Sequence, residues 1–142
     1  MTSPNSDTVR RAARPLSPHL QIYTPLINMV MSILHRLTGA ALYFGTLLLA
    51  WWLVSVASGP AAFAQFSAAA NSWPGRIVLL GFTWALIHHA VGGVRHFIWD
   101  LGYGYDLETI DKLSWGSIVV SVLLTAAVWF VALSSAPGST NP

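Results

Sequence analysis

Three long apolar stretches organise the chain, and its few charged residues gather near their ends. Residues 28–56 hold all but the last residue of the uncharged run TGAALYFGTLLLAWWLVSVA. Residues 76–100 hold IVLLGFTWALIHHAVGGVRHFIW, and residues 113–134 hold LSWGSIVVSVLLTAAVWFVAL. A helix rises ~1.5 Å per residue, so about 20 residues cross a ~30 Å hydrocarbon layer. Each stretch is long enough to cross once. Lipid offers the backbone no hydrogen-bonding partner, so uninterrupted apolar spans of this length must bond internally as helices. The expected fold is an all-α membrane protein with three transmembrane helices.

The segments between are polar or broken. Residues 57–75 carry Pro60 and Pro74 among small residues and read as a loop with room for a short interfacial helix. Asp100, Asp106, Glu108 and Asp111 mark residues 101–112 and their border as a solvated turn. Residues 1–27 form a polar arm, too polar for a secretory signal, and residues 135–142 a polar tail. Arg10, Arg11 and Arg14 in the arm and Lys112 in the second connection outweigh Arg76 in the first. The positive-inside rule then places the arm and residues 101–112 in the cytoplasm, or in a mitochondrial matrix, with residues 57–75 and the tail outside. A bacterial inner membrane is the expected location, because the arm with its Asp7 makes a poor transit peptide.

Composition agrees. Only 8% of the 142 residues are charged, against about 25% in an ordinary soluble domain. There is no cysteine, which excludes disulfides, thiolate metal sites, iron–sulfur ligation and cysteine nucleophiles within this chain. No nucleic-acid partner is expected. Any redox chemistry must use histidine ligands or belong to partners.

The polar groups inside the spans carry the functional signal. Ser32, His35, Arg36 and Gly39 share one face of the first helix, and His89, Gly92, Gly93, His96 and Asp100 one face of the second. His88 and Arg95 lie on a different side. With the arm inside, His35 sits roughly 10 Å and His89 roughly 16 Å from the same boundary. An ionised arginine within a span costs ~2.5–3.5 kcal/mol on insertion scales. Snorkelling to headgroups offsets that cost for an arginine alone; the company of Ser32 and His35 points instead to a buried polar or acidic ligand. Gly92 and Gly93 suit either close helix packing or the approach of a flat macrocycle. A haem between helices would use histidine Nε2 on iron and arginine or histidine on the propionates. His89 and His88 both remain candidate ligands on spacing. His96 and Asp100, four residues apart, are placed to pair.

At this point two motifs are specific. RPLSPHLQIY from Arg14 precedes SILHRLT, Ser32 to Thr38, and HAVGGVRHFIWDLG runs from His89 to Gly102. Together they resemble the signatures of the cytochrome b anchor subunits of succinate dehydrogenase, respiratory complex II. The resemblance covers nearly the whole chain. It implies that His89 is the axial ligand of haem b, the second ligand coming from a smaller anchor subunit. It also implies that Ser32 and Arg36 face ubiquinone and that His35 and Arg36 lie towards the haem propionates. Arg95, His96 and Asp100 are supporting candidates. The implied partners are a second hydrophobic anchor, an iron–sulfur subunit and a flavoprotein that carries FAD, all meeting at the lipid bilayer. The chain alone should not oxidise succinate. The arm, with His19 and Tyr23, is expected to dock the soluble subunits.

Two other classes compete: a menaquinone-linked fumarate reductase anchor, and a haem-free transport or anchor component. A transport component predicts no bound haem and no requirement for soluble redox partners, whereas a haem-free anchor keeps the fold without the haem.

Overall fold

The computed structural model describes residues 17–135; Arg10, Arg11, Arg14 and most of the polar tail lie outside the described residues. The described residues form four helices: α1 (Ile27–Ala57), α2 (Pro60–Asn71), α3 (Trp73–Asp100) and α4 (Leu107–Ser134). Three of them, α1, α3 and α4, are long and apolar enough to cross a membrane. Helix α3 packs against both α1 and α4, α1 also meets α4, and α2 bridges α1 and α3. Early residues of α1 meet late residues of α3, and late α3 meets early α4, so neighbouring spans run antiparallel.

The connections are short because each corner is chemically specified. Gly59, at φ 99°, adopts a backbone that other residues rarely take, and Pro60 opens α2 immediately after it. Residues 57–75 are therefore mostly helical, with α2 filling the segment expected as a loop. The Ser72 hydroxyl accepts from the Gly75 amide at 3.2 Å and starts α3. A side chain at Gly75 would drive into the carbonyls of Ala69 and Ala70 at the end of α2. Helix α3 ends on Gly102, at φ 84°, with the Gly102 amide on the Trp99 carbonyl and the Tyr103 amide on Ile98. This is the paired bonding of a glycine-terminated helix. The Asp106 carboxylate caps α4 by accepting from the Thr109 amide at 2.9 Å, so α4 begins ahead of its apolar stretch. That bond and the neighbouring groups hold Asp106 below its usual carboxylate pKa.

The interior is polar and small where a soluble bundle would be apolar. Ser114, Ser117, Ser121 and Thr125 form the buried stripe of α4, while Val119, Leu123 and Phe130 are exposed. Among the described residues only Met31, Phe66 and Ala85 are buried hydrophobic side chains. Lipid tails are as apolar as leucine, so large apolar residues gain little by turning inward. Small residues gain close backbone approach. The buried hydroxyls of Thr38, Ser117 and Thr125 donate to carbonyls one turn back, which leaves them satisfied.

Candidate functional site

The site lies where the first turns of α1 cross the last turns of α3. His35 and His89 stack there with ring centroids 4.0 Å apart and planes 9° from parallel. The stack needs two glycines. A Cβ on Gly92 would lie 2.5 Å from His35 Nδ1, and a Cβ on Gly39 would lie 3.0 Å from His89 Cε1. Each helix removes a side chain to admit the other's imidazole. Gly93, expected on the same face as Gly92, instead meets nothing within 4 Å.

Hydrogen bonds distinguish the two neighbouring histidines of α3. His89 Nδ1 lies 3.2 Å from the His35 carbonyl, which can only accept, and 3.3 Å from Thr38 Oγ1. The Thr38 hydroxyl is already donated along its own helix. His89 Nδ1 therefore carries the proton and Nε2 keeps its lone pair. His88 faces the other way. Its Nδ1 lies 3.0 Å from Ser121 Oγ, which also lies 2.9 Å from the Ile118 carbonyl. Its ring is 1% exposed, stacks on Trp84, and leaves a buried Nε2 with no partner. Of the two rings only that of His89 is partly exposed.

Beside the histidine stack opens a pocket of about 340 Å³ lined by Asn28, Ser32, His35, Arg36, Arg95, His96 and Trp99. The structure thus brings Ser32, His35, Arg36, Arg95 and His96 to one place. Asp100 is exposed and does not line the pocket. The pairing of His96 with Asp100 does not form: His96 lies edge-on to Trp99 at 5.3 Å and tilted to His35 at 5.3 Å. Arg95, although on a different side of α3 from His89, bends under the pocket. It donates to Ser114 at 3.4 Å and lies over the Trp99 ring at 4.9 Å. It is buried. In the arm, the Tyr23 hydroxyl meets Met29 Sδ at 2.9 Å.

Two pocket residues were not anticipated. Asn28 lies one turn before Ser32, and its buried Oδ1 has no partner among the described residues. The i−4 spacing from Ser32 was the available signal. Trp99 reads from sequence as an interfacial belt residue, and only packing turns it inward.

The donor set fits one half of a two-histidine haem site: one imidazole with its Nδ1 proton held by a carbonyl and its Nε2 free, with cationic side chains nearby. Among the described residues no cluster of three or more metal-ligating side chains forms.

Residues 10–128 match the family described as the succinate dehydrogenase/fumarate reductase transmembrane subunit. The chain is 45% identical over 127 residues to a succinate dehydrogenase cytochrome b556 subunit of Paracoccus denitrificans, covering 87% of this chain and 97% of that one. It is 40% identical over 116 residues to the corresponding subunit of Rickettsia felis, covering 82% and 90%. With the mitochondrial cytochrome b560 subunit of Bos taurus it shares 34% identity over 112 residues, covering 78% and 66%.

Proposed function

The chain belongs to the succinate dehydrogenase/fumarate reductase transmembrane-subunit family, and from that membership we propose that it is the cytochrome b anchor of a succinate:ubiquinone oxidoreductase. It holds haem b with a second anchor subunit and forms one wall of the ubiquinone site. It fixes the flavoprotein and iron–sulfur subunits, with their FAD and clusters, to a bacterial inner membrane. The arm and residues 101–112 face the cytoplasm in this reading.

The observation that carries the reading is the tautomer of His89. A carbonyl-bound Nδ1–H leaves Nε2 as a free donor atom, which is what an iron ligand requires, and the pocket holding Ser32 and Arg36 lies alongside. The burial of His88 against Ser121 favours His89 of the two. When bound, haem supplies a one-electron redox centre. Ser32 and Arg36 donate to a quinone carbonyl oxygen, and these bonds strengthen as negative charge develops on it. Converting quinone to quinol takes two electrons and two protons. The electrons arrive from the soluble subunits, and the pocket's position near the helix ends keeps it close to water for the protons. His35 keeps the His89 ring oriented through its carbonyl and its stacked imidazole.

The test is a reduced-minus-oxidised spectrum of the complex purified with its co-isolating subunits, wild type beside His89→Leu and His88→Leu. A b-type spectrum lost or altered only in His89→Leu is the expected result. A wild-type complex without haem, or a spectrum indifferent to His89→Leu, refutes the assignment.

A further inference from the structure

Arg95 is 4% exposed, yet the single ion pair among the described residues joins Lys112 to Glu108 at the surface. The guanidinium has one long hydrogen bond, to the neutral Ser114, and the face of Trp99. Its Nε is buried without a partner. Burying an ionised group without a counter-charge is among the most unfavourable arrangements available to a side chain, and snorkelling does not relieve it here. Ser114 and Trp99 orient the group without neutralising it.

The surroundings show what is missing. The pocket that Arg95 helps to line takes Arg36 from α1 and Arg95 from α3, with Asn28, Ser32, His35 and His96 as further polar groups and no carboxylate. The cavity on the other flank of Arg95 contributes Lys112 and Ser117, again without an acid. Asp100 is exposed and outside both. Two cations from opposite helices, and no acid between them, leave a complement for an anion. A planar, fixed guanidinium suits an oxyanion better than an ammonium does.

We propose that Arg95 is the second cation of this pocket and holds an oxyanion there together with Arg36. The inference rests on the reading above, in which two ligands bring such an oxygen: a haem propionate carboxylate, and the quinone oxygen that gains negative charge during reduction. Arg95 is then a binding residue, and the α3–α4 seam exists partly to aim it.

The test uses the complex purified with its partner subunits, as wild type, Arg95→Gln and Arg95→Lys. Two quantities are read: the haem midpoint potential by redox titration, and kcat/KM for a short-chain ubiquinone with succinate as donor. If the oxyanion is a propionate, loss of the cation favours oxidised haem. Arg95→Gln then lowers the potential by about a tenfold change in the couple, ~59 mV for one electron, with quinone KM unchanged. If it is the quinone oxygen, the potential holds and kcat/KM falls about tenfold. Arg95→Lys, which keeps the charge and loses the fork, gives a smaller change of the same sign, and it decides the matter if Arg95→Gln does not assemble. A merely structural arginine lowers only the yield or thermal stability of the complex. Wild-type potential and kcat/KM in the assembled variants overturn the proposal. A wild-type complex lacking haem and quinone reduction overturns the functional reading and this inference with it; silent variants in an active haem-containing complex overturn this inference alone.

Discussion

Gly92→Ala puts a methyl group where the His35 ring now lies. The added Cβ would sit 2.5 Å from His35 Nδ1 and 3.1 Å from Cε1, whereas carbon contacts are comfortable at ~3.5–4.0 Å. The ring must retreat by about 1 Å. It cannot do so freely, because its face is stacked on His89 at 4.0 Å. Overpacking of this kind costs ~1–3 kcal/mol. Replacing a mid-helix glycine by alanine returns up to ~1 kcal/mol, so the clean comparison is with Gly81→Ala on the same helix, where a Cβ meets nothing within 4 Å. The helix-propensity gain cancels between the two. Gly92→Ala should therefore unfold more readily than Gly81→Ala by ~1–3 kcal/mol, about 5–150-fold in the unfolding equilibrium. The assay is denaturation of the purified complex in detergent, followed by far-ultraviolet circular dichroism and by the haem spectrum. Identical curves for the two variants would show that His35 does not occupy the space vacated by Gly92, and the account of the stacked pair would fail.

Three further outcomes follow from single contacts. Ser121→Ala removes the hydrogen-bond partner of the buried His88 Nδ1 and should destabilise the complex by ~1–3 kcal/mol while leaving the haem spectrum unchanged; a spectral change at intact stability would contradict the separation of the two histidines. Gly75→Ala forces a methyl against the Ala69 and Ala70 carbonyls and should cost ~1–3 kcal/mol or more, seen as a lowered thermal midpoint, because backbone cannot step aside as a side chain can. Asp106 is held below its ordinary pKa, chiefly by the Thr109 amide, so the ionised carboxylate is favoured in the folded chain. Its stabilisation of α4 is fully present above the ordinary carboxylate pKa and disappears as pH falls through the lowered folded value. The Thr109 amide shift should titrate in that acidic window, and in Asp106→Asn, which still caps but cannot ionise, the titration should vanish.

The spans were legible in the sequence because lipid imposes one requirement, an apolar run with internal hydrogen bonds, that a linear pattern can express. The grouping of Ser32, His35 and Arg36 followed from helical periodicity, and so did the placing of His88 on a different side from His89. Helix α2 was harder to read: its alanine-rich segment lacks a strong apolar face, and the prolines flanking it mark helix starts as readily as loops. The burial of Arg95 was not legible at all. Its neighbours on α3 say which side it leaves from, but whether that side meets headgroups or Ser114 depends on where α4 docks. Likewise, spacing placed Gly92 and Gly93 together, and packing divided them, one against His35 and the other facing open space. Periodicity determines which residues share a face. The rotation and separation of one helix relative to the next depend on mutual clearance, here Gly39 against His89 and Gly92 against His35, and that is a property of pairs of helices that only the tertiary structure decides.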